Sequence, residues 1–218
     1  MRRTILFDLD GTLTDPKKGI TCAFAYALRQ YGIEADPDTL TSVIGPPLVD
    51  SFMELYGFSR AQAEEAIRHY RVYYSDRGWA ENVPYPGIRD ALAALRAAGR
   101  TLVVATSKPE EFSVRILEHF GLAEYFSVIC GAPMDDSERG RKEHVIADAL
   151  CRCGSPSPGT AVMVGDRRHD IEGARENGLA AIGVLYGYGS RAELEQAGAA
   201  YITNSVQSLC DLLLNGGI

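Results

Sequence analysis

An α/β fold is predicted: a doubly wound parallel sheet into which an α-helical domain is inserted. Three observations predict it. From residue 87 onward, short apolar runs carrying β-branched or aromatic residues alternate with segments of helical length. Near-continuously apolar strands separated by helices belong to parallel sheets covered on both faces. Residues 15–84 break that alternation with helical patterns and no strand-like run. Acidic, hydroxyl and small residues gather directly after the apolar runs, at the sheet edge where ligands bind in such folds.

The first strand is expected over Thr4–Phe7. The roughly seventy residues that follow are far too many for a strand-to-helix connection. Within them Gly19–Tyr31 and Arg60–Arg77 read as helices, and in the latter Ala63, Ala66, Ile67, Tyr70 and Tyr74 fall at spacings of three and four. A helical domain is therefore expected over residues 15–84, with the core formed by 1–14 and 85–218. The stripe of Tyr70, Tyr73 and Tyr74 reads as packing inside that domain. Pro86-Gly87 then opens a helix over Gly87–Ala98, followed by a strand at Thr101–Ala105. Pro109 sits at the first turn of a helix over Glu110–Phe120, and Gly121 stands where a C-terminal glycine belongs. A strand at Tyr125–Cys130, a helix at Lys142–Cys151, a strand at Thr160–Val164 and a helix at Asp170–Asn177, closed by Gly178, come next. The chain finishes with a strand at Ala181–Leu185, a helix at Arg191–Ala197, a strand at Tyr201–Thr203 and a helix at Val206–Leu214.

Composition sets outer limits. The chain has 218 residues, 46% hydrophobic and 23% charged, which excludes a disordered polymer. Its net charge of -7 repels phosphate backbones and anionic lipid, so neither a nucleic-acid polymer nor a membrane is an expected partner. The opening Met-Arg-Arg-Thr leads into an apolar run too brief for a signal or a membrane span, so a cytoplasmic protein is expected, as a monomer or homodimer. Cys22, Cys130, Cys151, Cys153 and Cys210 have no two-pair metal spacing and read as ordinary reduced thiols.

The chemistry is expected at the strand ends. The first strand runs into Asp8-Leu9-Asp10-Gly11-Thr12-Leu13-Thr14-Asp15. Asp8 and Asp10, two apart in extended chain, point to the same side, and two like charges there need a cation or a proton to neutralise them. Gly11 permits a tight turn and brings backbone N–H groups close to a ligand. The next strand ends in Thr106-Ser107-Lys108-Pro109, a set of hydroxyls and an ammonium before a helix N-terminus that favours anions. A later strand ends in Gly165-Asp166-Arg167-Arg168-His169-Asp170, and Arg139, Arg141 and Lys142 open the helix leading toward it. Oxygen-only carboxylate ligands with open positions suit Mg²⁺ shared with a phosphate. A carboxylate attacking a phosphoryl group needs its charge offset, which the metal, a lysine and backbone amides supply. A second carboxyl group can protonate the leaving alkoxide and then deprotonate water.

At these residues the sequence resembles the haloacid dehalogenase-like hydrolases, whose four motifs it matches in order over essentially the whole chain. The first motif is the most specific. The resemblance implies a Rossmann-like core, Asp8 as nucleophile and Asp10 as general acid and base. It implies that Thr106, with Ser107, binds the phosphoryl oxygens and that Lys142 offsets charge at Asp8. Arg139 and Arg141 stand close enough to Lys142 to leave that cation open among the three, and the proline-bearing continuation usual after the family's lysine is absent. Mg²⁺ is implied on the Asp8 carboxylate, the Asp10 carbonyl and Asp166, with Asp170 behind them. A helical cap inserted after the first motif is similar to that of the phosphoglycolate phosphatase and β-phosphoglucomutase branch. The stretches 165–174 and 183–190 look most like the 5′-nucleotidase-like phosphatases of that branch.

The implied activity is Mg²⁺-dependent hydrolysis of a small phosphomonoester, a 5′-nucleotide, phosphoglycolate or a sugar phosphate, through an aspartyl phosphate. The cap makes a protein substrate unexpected. A dehalogenase would need neither Asp10 nor Asp166, and phosphoacceptor signalling modules lack the inserted domain. A phosphomutase and a non-catalytic phosphate-binding protein are the alternatives. Further expected ligand contacts are Gly11, Lys108 and, in the turn Ile44-Gly45-Pro46-Pro47-Leu48, Gly45. Lys17 and Lys18 read as solvated, His169 as facing away from the acids, and Tyr186–Tyr188 either as ordering the active edge or as a simple bend.

Overall fold

The computed structural model describes residues 3–134 and 138–215. The chain divides into two compact units, Met1–Asp15 with Pro84–Ile218, and Pro16–Val83.

The first unit is built on a six-stranded sheet of β1 (Thr4–Phe7), β4 (Thr101–Pro109), β5 (Val128–Ala132), β6 (Ala161–Gly165), β7 (Ala180–Val184) and β8 (Tyr201–Thr203), in the order β5-β4-β1-β6-β7-β8. Every pairing is parallel, with Phe7 opposite Val104 on one side and Val164 on the other. All four residues of β1 and all five of β6 are buried, as strands covered on both faces must be. The chain leaves β1 for β4 and β5 on one side and returns to β6, β7 and β8 on the other. The strand order therefore reverses at β1, so a crevice is expected beyond the carboxyl ends of β1, β4 and β6.

The helices of this unit are α4 (Ile88–Ala97), α5 (Glu110–His119), α6 (Lys142–Arg152), α7 (Arg168–Glu176), α8 (Arg191–Ala197) and α9 (Val206–Asn215). Each buries an apolar stripe at spacings of three and four: Ile88, Leu92 and Leu95 in α4, and Lys142, Val145, Ile146 and Ala149 in α6. The lysine in that second stripe is the exception that matters below. Leu6, Val103 and Met163 meet Val145, Ile146 and Ile171 in one continuous core.

The Pro16–Val83 unit holds α1 (Lys17–Arg29), α2 (Leu48–Tyr56) and α3 (Arg60–Tyr73). Phe24 and Phe52 stack with ring centroids 4.0 Å apart, and Phe52 and Phe58 at 5.7 Å. Tyr70 and Tyr74 are buried and stacked, so two members of the tyrosine stripe are packing, while the Tyr73 hydroxyl donates to Glu81 at 2.9 Å. Gly19 lets α1 approach a following π-type turn, Tyr74–Gly78, backbone to backbone; a Cβ there would lie 2.0 Å from the Gly78 carbonyl oxygen. Lys17 and Lys18 are not merely solvated, because they pair with Asp38 and Glu81.

Several boundaries differ from expectation, each for a local reason. Residues 123–125 form a 3₁₀ turn rather than the start of β5, because an apolar run does not distinguish the two. The β4 strand extends to Pro109 through an irregular register after Thr106. Helix α7 starts at Arg168, two residues before the expected Asp170, which lies inside its first turn and accepts from the Arg167 N–H at 3.0 Å. The expectation of no strand within residues 15–84 is corrected by two-residue strands β2 (Thr14–Asp15) and β3 (Val83–Pro84), which pair with each other and are too short to show a period.

Candidate active site

The first-strand acids leave the sheet at once. The Asp8 N–H still donates to the Val164 carbonyl at 2.9 Å, which carries β1 one residue further beside β6. Leu9 is fully buried, so its neighbours Asp8 and Asp10 turn the other way, toward the sheet edge. The backbone then closes a tight turn in which the N–H groups of Thr12, Leu13 and Thr14 all point to the Leu9 carbonyl and Gly11 takes φ +81°. A Cβ at Gly11 would lie 2.3 Å from Asp166 Oδ2, so glycine is required both by backbone conformation and by space.

Two lysines reach these acids from different elements. Lys142, at the start of α6 and buried, places Nζ 2.7 Å from Asp8 Oδ1 and 2.7 Å from Asp170 Oδ1, and donates to the Ala105 carbonyl at 3.2 Å. Burial by itself would lower the Lys142 pKa; Asp170 and Asp8 outweigh it and push the ammonium up, so it stays charged. Arg139 and Arg141 are exposed, and Arg141 pairs with Glu138, which leaves Lys142 as the cation that meets Asp8. Lys108, from the end of β4, is also buried and places Nζ 2.6 Å from Asp10 Oδ2. The other oxygen, Asp10 Oδ1, is buried without a hydrogen-bond partner among the described residues. Desolvation raises the Asp10 pKa, and Lys108 opposes that rise.

The remaining acids come from the β6 edge. Asp8, Asp166 and Asp170 each offer an oxygen, all three within 4.8 Å of one another. Burial, then Asp170 and Asp8, push the Asp166 carboxyl well above the usual range. Burial also raises Asp170, to about 6, against the pull of Lys142. Three buried carboxylates facing one lysine are short of positive charge. An oxygen-only donor set in that condition fits a small hard cation such as Mg²⁺.

The other expected residues are distributed unevenly. Thr106 is buried, and its hydroxyl oxygen accepts from the Lys108 N–H at 3.2 Å. Ser107 is exposed. Gly45 is exposed with φ +105° in the Pro16–Val83 unit. His169 is absent from the carboxylate cluster, and its pKa is lowered by burial and then by Arg168 and Arg167. Two neighbours of Asp166 were not assigned to it from the sequence: Thr12, whose hydroxyl lies 3.5 Å from Oδ1, and Tyr188, read there only as ordering the active edge or bending the chain, whose backbone N–H donates to Oδ2 at 2.7 Å. The Gly-Tyr-Gly spacing of residues 187–189 was the available signal, since paired glycines mark close backbone approach.

Known proteins resemble this chain over most of its length. A family model described as haloacid dehalogenase-like hydrolase matches residues 5–184. A Pseudomonas aeruginosa protein named 5′-nucleotidase is 47% identical over 191 residues, 87% of this chain and 86% of that one. A Mycobacterium tuberculosis protein named tyrosine-protein kinase PtkA is 44% identical over 202 residues, 92% of this chain and 68% of that one. A crystal structure described as a predicted phosphatase from Clostridium acetobutylicum superposes with a TM-score of 0.94 at 46% identity, covering 99% of each chain.

Proposed function

The chain belongs to the haloacid dehalogenase-like hydrolase family and is a phosphatase by class, and on that premise we propose a two-step, Mg²⁺-dependent hydrolysis of a small phosphomonoester. The observation that carries it is the Asp8 carboxylate, held 2.7 Å from Lys142 inside a cluster with Asp166 and Asp170.

In the first step an Asp8 oxygen attacks phosphorus, forming an aspartyl phosphate as the bond to the leaving alkoxide breaks. Asp10 donates the proton that the alkoxide needs. Burial favours the protonated Asp10 carboxyl, and its unpartnered Oδ1 is the oxygen available to hold that proton. In the second step Asp10 removes a proton from water, which attacks the same phosphorus and releases inorganic phosphate and the Asp8 carboxylate. Lys142 offsets charge at Asp8 throughout. Thr106 and Ser107 hold phosphoryl oxygens, with Gly11 admitting the ligand close to the backbone. The Asp8 carboxylate, the Asp10 carbonyl and Asp166 would hold Mg²⁺, with Asp170 behind them. Bound there, the metal supplies positive charge to the phosphoryl oxygens during transfer.

Within this proposal the Pro16–Val83 unit is the cap, and Gly45 is its candidate substrate contact. The P. aeruginosa relative favours a 5′-nucleotide as substrate, ahead of phosphoglycolate or a sugar phosphate. The mycobacterial relative supports a second reading, in which the phosphoryl group passes from Asp8 to a tyrosine hydroxyl instead of water.

Phosphate release is to be measured from a panel of 5′-nucleotides, sugar phosphates and phosphoglycolate, with Mg²⁺ and with chelator. Metal-dependent release favouring nucleotides, and none from Asp8→Asn, is the expected outcome. Retained activity in a folded Asp8→Asn protein would remove Asp8 as nucleophile. Phosphotyrosine formed on a polypeptide in place of free phosphate would select the transfer reading.

A further inference from the structure

The segment after β7 approaches Asp166 more closely than any side chain could allow. A Cβ at Gly187 would lie 2.3 Å from the Gly11 carbonyl oxygen and 2.4 Å from Asp166 Cβ, and a Cβ at Gly189 only 1.9 Å from the Asp166 carbonyl oxygen. Between these glycines, the Tyr188 N–H donates to Asp166 Oδ2 at 2.7 Å. The tyrosine rings anchor the same segment to the first-strand turn. The Tyr186 hydroxyl donates to the Thr12 carbonyl at 3.1 Å, with its ring edge-on to Tyr85 at 4.9 Å between centroids. The Tyr188 hydroxyl donates to Asp15 Oδ1.

We propose that Tyr188 is a positioning residue for the metal site: its hydroxyl bond to Asp15 holds the 187–189 backbone so that its N–H fixes the orientation of the Asp166 carboxylate. This rests on the assignment of Asp166 as a Mg²⁺ ligand. With Oδ2 occupied by a backbone donor, Oδ1 meets the Thr12 hydroxyl at 3.5 Å, a contact at the outer limit of a hydrogen bond. On this proposal Oδ1 is the oxygen left for the metal. Outer partners of this kind set carboxylate orientation and metal affinity without touching the metal.

The test is metal binding by the full chain without substrate, read as free Mn²⁺ by electron paramagnetic resonance, alongside the Mg²⁺ dependence of phosphate release. Losing a direct outer partner typically weakens metal binding 10–100-fold; Tyr188→Phe keeps the N–H and loosens only its anchor, so roughly threefold to tenfold weaker binding is expected. At saturating Mg²⁺ its kcat should stay within about twofold of wild type, because reacting groups are untouched. Asp15→Ala should reproduce the weakening, and Asp15→Asn, which keeps an acceptor oxygen for the tyrosine, should restore it. Unchanged Mn²⁺ affinity in Tyr188→Phe, with binding lost in Asp166→Asn, overturns the positioning role and leaves Asp166 as a ligand. Unchanged affinity in Asp166→Asn overturns the ligand assignment itself, and the role of Tyr188 with it.

Discussion

Two lysines neutralise the first-strand acids, and they do it differently. Lys142 spans Asp8 and Asp170 at 2.7 Å each, deep beside the sheet and bonded also to the Ala105 carbonyl. Lys108 holds one oxygen of Asp10 at 2.6 Å, and the other has no hydrogen-bond partner among the described residues. The first arrangement keeps a carboxylate beside a charged ammonium, which suits a nucleophile. The second moderates a carboxyl group that burial already favours as an acid, which is what a proton donor and acceptor needs. Under the proposed mechanism, two acids two positions apart would thus take opposite roles from the lysines that reach them.

The largest expected effect breaks the first arrangement. Lys142→Met leaves Asp8 and Asp170 buried without their cation, which should destabilise the metal-free protein by about 3 kcal/mol or more and reduce turnover severely. Its pH dependence has a defined sign. A carboxyl group whose folded-state pKa is raised contributes stability below its unfolded value that is lost as pH rises through the folded value. For Asp170 in the wild type that loss should be complete just above about pH 6. In Lys142→Met the pull toward lower pKa is gone, so denaturant unfolding with chelator should show stability still falling at pH values where the wild-type curve has levelled off. Parallel curves for the two proteins would count against the pairing.

Next in size, Asp10→Asn should slow turnover roughly a hundredfold, in line with loss of a general acid and base. An unchanged rate would move the proton transfer to another group. The smallest effect in the comparison is expected from Lys108→Met. Losing one charge-assisted hydrogen bond to Asp10 should lower kcat roughly tenfold. Removing the opposing ammonium lets the Asp10 pKa rise further, so the pH–rate profile should shift to higher pH. A profile that stays in place would show that Lys108 does not act through Asp10.

Much of this site was legible because it lies in contiguous chain. Asp8, Asp10 and Gly11 follow an apolar run directly, and Thr106 and Asp166 stand at the ends of two others. The order in which strands and helices alternate was legible for the same reason: apolar period and punctuation are local properties. What escaped was relational. Lys108 reads as a ligand contact beside the phosphate strand, yet its ammonium meets Asp10 from a neighbouring strand, and nothing in residues 106–109 encodes that partner. Tyr186 and Tyr188 stood open between ordering the edge and bending the chain. The choice depends on Thr12, Asp15 and Asp166, up to 174 positions away in the chain.

By itself the sequence determined the class of fold, the strand that bears the paired acids, and the set of oxygen donors suited to a small hard cation. Periodicity, glycine placement and residue chemistry are written one position at a time. Only the tertiary structure decided which cation serves which carboxylate, which oxygen stays free, and why Gly187 and Gly189 must have no side chain. Those outcomes depend on distances between segments, and in a parallel sheet the crossover helices bring together strand ends that the chain itself keeps far apart.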